Sequence, residues 1–534
     1  MFKSTKFNFT FLGLLSLFLF YFVNKEFIGG SFFEWGDLAL QGIDTNRVQN
    51  FEIFIGTTSS QGFFRQPGPF LSYWLYLIEQ ILFLLNIKNS VFSHILGYVI
   101  LNIFFQTVTL YIIYKNLKNK ILILPIGVFF ICFLNTIIEG QFSQPTVMAI
   151  GISAFIFFTI CIADFMQNQN ISIAPVVFTG YIILSNIHVI YFVLSTFILF
   201  FVFLYMYKNY YLFKNFLAYK ISIFLSILVI FIGFLPIIYD QLFLTNNLSK
   251  IFFYGSDSPY QNNNSRLSLF FQYFPKSFQF IGMFFIDLFM DYSNKLSLII
   301  NKDYLLSPFQ TIIFWSFYLF FIFYSFKNTN SYGNFYNKVL LLVSIVILFS
   351  IFFATGKTSA GKIYELEYTS RYILSFVFLF YLSIFLFVDN YLKSCKFMKI
   401  EYSKFLLSFV IIIFSLSFPQ SKMLFDKKVG YFVIKNISIS KDIEIFSDKI
   451  NISNHNINVF TDTDDWPLLA GLLYQLTKKN NRLYINNNRY TNMFKLPTID
   501  ENLNSGKNIF IMKNHDDCQK GVLVNKDGFN LCSF

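Results

Sequence analysis

About eleven windows of roughly twenty apolar residues, set apart by lysine, proline or short polar breaks, leave this chain one class of fold: an all-α polytopic membrane protein. The windows fall at residues 8–24, 91–114, 121–138, 145–165, 172–186, 187–207, 221–238, 309–326, 338–355, 372–391 and 404–418. The pair at 172–207 is too short for two full spans and is expected as two tilted half-length helices. Only 13% of the 534 residues are charged, where a soluble globular chain carries about 25%. The 78 phenylalanines are expected mostly on lipid-facing surfaces.

The net charge of +12 does not point to nucleic acid, because the excess lysines sit in short breaks between the windows. These are YKNLKNK (114–120), YKNYYLFKNFLAYK (207–220), the segment from Lys327 to Lys338, and KSCKFMK (393–399), all expected at the cytoplasmic face. The start, MFKSTKFNFTFLGLLSLFLFYFV, has a basic front and an apolar core but no small-x-small cleavage site. It reads as an uncleaved first span with its N-terminus in the cytoplasm.

That topology puts three polar segments outside: 25–90, 239–308 and 419–534. Chemistry is expected there, since ordered loops longer than a connection requires are usually functional. In the first, GDLALQGIDTNRVQNFEIF reads as an interfacial helix opened by Asp37, and PFLSYWLYLIEQILFLL (69–85) as an in-plane helix. Glu79 and Gln80 argue against the latter crossing the membrane. The chain thus divides into a transmembrane domain, 1–418, and an external α/β domain, 419–534. In the second domain, strands at 457–462, 482–487 and 508–513 flank a helical run at 466–480. Cys518 and Cys532 lie on the oxidising side and could close a disulfide; Cys132 and Cys161 fall in spans and Cys395 in a cytoplasmic loop, so a cysteine metal cluster is not expected.

Several residues could carry chemistry, each with a plainer alternative. Asp37 is suited to deprotonating an acceptor hydroxyl or holding a divalent cation (Mg2+ or Mn2+), or is simply a helix cap. Glu34 and Asp44 are accessory ligands or lie on a solvated face. In RQPGP, Arg65 offers a fork of donors suited to phosphate, Gln66 a neutral donor and acceptor, and Pro67-Gly68-Pro69 a rigid turn; the alternative is a helix-entry turn with a snorkelling arginine. His188, in SNIHVIYF, is a proton carrier, a polar ligand or an interhelical hydrogen-bond partner. Lys357, Lys362 and Arg371, with Glu365 and Glu367, fill the loop 355–376, where outward-facing cations suit a lipid phosphate or anchor to headgroups. No Walker loop, GxGxxG turn, HExxH or GxSxG stands in a fitting context, which disfavours soluble cofactor chemistry.

Taken together, the first span, the segment GDLALQGIDTNRVQNFEIFIGTTSSQGFFRQPGPFLSYWLYL, SNIHVIYF, FLPIIYDQLFLTNNLSKIFFY (234–254) and DDWPLLAGLLYQLTKKN resemble the GT-C class of bacterial membrane glycosyltransferases. They are closest to a branch with an HPGP turn in the first loop. The resemblance implies a multi-pass inner-membrane enzyme that moves a sugar from a polyprenyl-phosphate donor to an external glycan, glycolipid or protein acceptor. It casts Asp37 as catalytic base or metal-associated acid, Arg65 to Pro69 as the donor-site turn and His188 as the branch histidine. Two positions depart from the pattern: Gln66 stands for His, and Asn186 for Gln. The alternatives are a polymerase or ligase using a diphosphate-linked oligosaccharide, and a non-enzymatic flippase or transporter of lipid-linked precursors.

Overall fold

Apolar windows long enough to satisfy every backbone group internally fold as helices. The computed structural model describes residues 10–18, 34, 36–49, 53–57, 65–87, 89–117, 119–137, 150–168, 171–208, 219–253, 271, 274–279, 281–282, 285, 308–327, 335–359, 372–394, 407–413, 415, 443–446, 453–462, 466–479, 481–486, 494, 499, 507–512, 522–526 and 529–533. The chain runs through α1 (10–18), α2 (Gly36–Val48), α3 (Phe70–Leu84), α4 (Ser90–Asn116), α5 (Ile123–Ile137), α6 (Ile152–Asn168), α7 (Ala174–Ile187) and α8 (Val189–Lys208). It continues through α9 (Lys220–Phe243), α10 (Asn247–Phe253), α11 (Pro308–Lys327), α12 (Phe335–Ser359), α13 (Ile373–Ser394) and α14 (Trp466–Lys478).

Among the described residues, α4, α9, α11 and α12 each hold a stretch long and apolar enough to cross a membrane. Helices α3, α5, α6, α7, α8 and α13 hold shorter apolar stretches of 10–17 residues, Val189–Tyr205 in α8 and Ile373–Asp389 in α13. The expected pair is α7 and α8, which meet at His188, whose backbone is extended (φ −158°, ψ 139°); α7 has 14 residues, but α8 has 20 and is not half-length.

Helix α6 is the hub: every residue from Ile152 to Met166 is buried, and α4, α7, α12 and α13 pack around it. Phenylalanine fills this interior as well as the expected outer surface, where Phe200, Phe203, Phe317 and Phe320 are exposed. Phe129 stacks on Phe378 at 5.0 Å between ring centroids, and Phe155 meets Phe376 edge-on at 5.1 Å. A chain poor in alanine has to build a close-packed interior from interlocking rings, which prefer such offset and edge-on geometries. Helix α9 is the opposite case, with Phe224, Ile227, Phe231 and Leu235 exposed along it.

Five strands follow: β1 (Asn456–Thr461), β2 (Arg482–Ile485), β3 (Lys507–Met512), β4 (Val522–Lys526) and β5 (Phe529–Ser533). Their order is β2-β1-β3-β5-β4, with β1 parallel to β2 and β3, and β5 antiparallel to β3 and β4. Helix α14 is the crossover between parallel β1 and β2. It is buried on two sides. Leu469, Leu472, Leu473 and Leu476 share one core with Ile457, Val459 and Leu483 of the sheet, and with Ala39, Leu40 and Ile43 of α2.

Helices α2 and α14 run alongside in the same direction. Gly36 faces Pro467, Gly42 faces Tyr474, and Asn46 Nδ2 donates to Thr477 Oγ1 at 3.4 Å. At Gly42 a β-carbon would stand 2.3 Å from the Tyr474 ring, so the approach needs glycine. The interfacial helix expected over GDLALQGIDTNRV is therefore an interior one, held between α3 and α14.

Candidate active site

The RQPGP turn is the meeting point of three distant segments. Arg65 N donates to Asn247 Oδ1 at 2.8 Å while Asn247 Nδ2 donates to Arg65 O at 2.9 Å, so one side-chain amide imitates a neighbouring strand. Asn247 is fixed in turn by Asp240, whose Oδ2 accepts from Asn247 N at 3.1 Å. Gln66 N donates to Thr57 O and Gly56 N donates to Gln66 O, closing the first loop on itself. On the other side, Gly68 N donates to Asn186 O, and Gln66 Oε1 accepts from Val189 N at 3.0 Å. A β-carbon on Gly68 would fall 1.8 Å from Asn186 Oδ1, which explains the glycine between the two prolines.

The same contacts define the α7–α8 break. Two of the first free N–H groups of α8 are satisfied: Val189 N by Gln66, and Ile190 N by His188 Nδ1 at 3.2 Å. Since Nδ1 accepts, the imidazole in this arrangement is neutral with its proton on Nε2. His188 is buried and caps the helix.

Arg65 is buried, and its fork is largely engaged. Nη2 donates to both Asp44 oxygens at 2.8 and 2.7 Å, Nε donates to Gly56 O at 2.8 Å, and Nη1 has no partner among the described residues. Asp44, read from sequence as an accessory ligand or part of a solvated face, is buried. Asp37, Gln41 and Asp44 stand at i, i+4 and i+7 of α2, a single helical face, with Asp37 and Asp44 about 10 Å apart along the axis. Gln41 Nε2 donates to Ser72 Oγ of α3 at 2.8 Å, so this polar stripe looks toward α3. Asp37 is half-buried in the first turn, where the helix dipole favours its charge. Gly36 before it has φ +57°, the left-handed region, which explains the Gly-Asp pair.

A second cluster was not visible in the sequence. Glu34 is buried and lies between His94 of α4 and Lys478 of α14. His94 Nδ1 is 2.6 Å from Glu34 Oε1 and Lys478 Nζ is 3.3 Å from Glu34 Oε2. Ser90 Oγ donates to Glu34 Oε2 at 3.4 Å and accepts from Lys478 Nζ. His94 Nε2 lies 2.9 Å from Glu79 Oε1, an ion pair without hydrogen-bond alignment, which gives the mid-helix carboxylate of α3 its counter-charge. Burial alone pushes the Glu34 carboxyl up, but the His94 and Lys478 charges and hydrogen bonds outweigh it and bring it down to about 2.

The other sequence candidates fall elsewhere. Lys362, Arg371 and Cys518 lie outside the described residues, as do Glu365, Glu367 and Cys395. Lys357 is in the last turn of α12 and Cys532 in β5 opposite Phe510, with neither side chain described. Among the described residues, no three His, Cys, Asp or Glu side chains come together as a metal site, and Glu34 is committed to His94 and Lys478.

Beside the turn, Pro67, Phe192, Phe234, Ile237, Leu242 and Leu248 line an apolar groove of about 200 Å³. No family model and no curated protein matches the sequence. Among solved structures, the crystal structure of ArnT from Cupriavidus metallidurans bound to undecaprenyl phosphate is similar over 99% of this chain and 98% of its own, with a TM-score of 0.50 at 10% identity. The apo state of that protein covers the same shares with a TM-score of 0.45 at 10% identity. The chain therefore shares the multi-pass fold of the ArnT structure bound to undecaprenyl phosphate, with the small α/β domain at its C-terminal end.

Proposed function

We propose that this protein is an integral membrane glycosyltransferase that moves a sugar from a polyprenyl-phosphate carrier to a glycan, lipid or protein acceptor on the non-cytoplasmic face of a bacterial inner membrane. One observation carries the reading: α2 presents Asp37 on the face whose other end, Asp44, grips Arg65, and Arg65 sits in a turn that joins the first loop, the α7–α8 break and the start of α10. An acid and a cation are thereby fixed at opposite ends of two helical turns, with an apolar groove next to the cation. The undecaprenyl phosphate in the ArnT structure supports a polyprenyl-phosphate carrier.

In this reading the acceptor hydroxyl attacks the anomeric carbon as the bond from that carbon to the phosphate oxygen breaks. The polyprenyl phosphate leaves with the electron pair, and the hydroxyl proton passes to Asp37. Negative charge grows on the leaving phosphate, and Arg65 Nη1, which has no partner among the described residues, is the donor held ready for it. Lys357, Lys362 and Arg371 would add positive charge from the following loop. His188 and Gln66 hold the turn in place. No step passes through a cation cofactor.

The test is Asp37→Asn, which keeps the size and capping ability of the side chain and removes the base. Envelope glycolipids, polysaccharide and glycoproteins of a deletion strain are compared by mass after complementation. The unsubstituted chain should restore the missing sugar and Asp37→Asn should not, at equal membrane abundance. Restoration by Asp37→Asn would remove the base from the mechanism.

A further inference from the structure

We propose that Lys478, acting through Glu34 together with His94, is a positioning residue for Asp37, so that sugar transfer requires the terminal α/β domain to be seated on the first loop. The inference rests on Asp37 as the base.

Glu34 precedes Asp37 by three residues, with the left-handed Gly36 between them. That corner is held from two sides. From the membrane domain come His94 at 2.6 Å and Ser90 at 3.4 Å, both on the first turns of α4. From the terminal domain comes Lys478 at 3.3 Å, at the end of α14. Lys478 also lies 4.2 Å above the Tyr474 ring, which fixes its stem over α14. Gly471 brings the α14 backbone against Glu34 itself: a β-carbon there would stand 2.9 Å from Glu34 O.

The charges balance only when the domains are together. Both His94 nitrogens face carboxylates, Glu34 and Glu79, so the ring carries both protons. Imidazolium and ammonium then match two carboxylates. Without Lys478, which is itself exposed, buried Glu34 and partly exposed Glu79 share the single positive charge of His94, which is costly for the buried carboxylate. The cheapest relief is for Glu34 to leave its place, and Asp37, three residues on, moves with it.

The test uses the full-length protein in detergent. Lys478→Met should speed deuterium exchange at the 36–42 amides about tenfold, the loss expected for a severed charge-assisted contact. It should also abolish complementation in the deletion strain while binding of undecaprenyl phosphate, the probe, is unchanged. Lys478→Arg should restore exchange protection and complementation. Glu34→Gln, from the other side of the contact, should repeat the Lys478→Met result. Unchanged exchange in both variants, or complementation retained by Lys478→Met, overturns the proposal. Complementation lost in Asp37→Asn but kept in Lys478→Met defeats the positioning role alone, whereas complementation kept in Asp37→Asn defeats the base and the proposal with it.

Discussion

Arg65 Nη2 lies 2.8 and 2.7 Å from the two carboxylate oxygens of Asp44, and both side chains are buried. The pair joins the middle of α2 to the RQPGP turn, and its value lies in what happens when half of it is removed. Asp44→Asn leaves a buried guanidinium without its counter-charge, a loss of roughly 3–5 kcal/mol. The expected result is a clearly lowered unfolding temperature of the detergent-solubilised protein. Arg65→Lys should fall between, because an ammonium cannot serve Asp44 and Gly56 O with separate nitrogens of one plane. An Asp44→Asn protein that melts with the unsubstituted chain would show the pair to be dispensable.

Gly68→Ala should fail for a steric reason that a second substitution can expose. The new methyl meets Asn186 Oδ1 at 1.8 Å, and Asn186 is held to Ile182 O and Gly233 O, so it cannot swing aside freely. Overpacking of this kind costs roughly 1–3 kcal/mol. Asn186→Ala removes the clashing atoms but leaves its own Cβ 3.0 Å from the methyl, so the double variant should recover part of the loss. Additive unfolding energies in the four-protein cycle would contradict this contact.

Gln66 stands where the resemblance places His in an HPGP turn, and its contact is one that either side chain can make. Its Oε1 accepts from Val189 N at 3.0 Å. An unprotonated imidazole nitrogen can accept equally well. Gln66→His should therefore preserve both fold and complementation, whereas Gln66→Leu exposes an unmet helix N–H and should cost about 1 kcal/mol, read from thermal unfolding. Loss of folding in Gln66→His at neutral pH would mean that the position needs the amide's own geometry.

The sequence announces the elements better than it announces their partners. Apolar length predicts the helices, alternation predicts β1 to β3, and the motif residues lead to the RQPGP turn, the α7–α8 break and the Asn247 segment, which the fold brings together. From sequence Asp44 reads as an accessory ligand or part of a solvated face, yet here it is buried against Arg65. The reverse signal was available, since Leu38, Ala39, Leu40 and Ile43 leave α2 no wholly polar face. The Glu34 cluster had no local signature at all. Its members come from four segments, and only folding shows that Glu79 answers His94 or that Lys478 reaches Glu34.

Glu34 also makes acid stability testable. Its folded pKa of about 2 lies below the ordinary value of 4.5, so deprotonated Glu34 favours the folded state. The contribution is complete above about pH 4.5 and is lost as pH falls toward 2, where protonation removes the partner of both His94 and Lys478. Stability measured from pH 5 down to 2 should fall more steeply for the unsubstituted chain than for Glu34→Gln. At neutral pH the variant should already be less stable, by roughly 1.5–3 kcal/mol for hydrogen bonds to a charged group. The two curves should converge toward pH 2, because there the native carboxyl has become what the amide imitates. Parallel curves across the window would mean that Glu34 titrates alike in the folded and unfolded chain, and the counter-charge argument for Lys478 would fall with it.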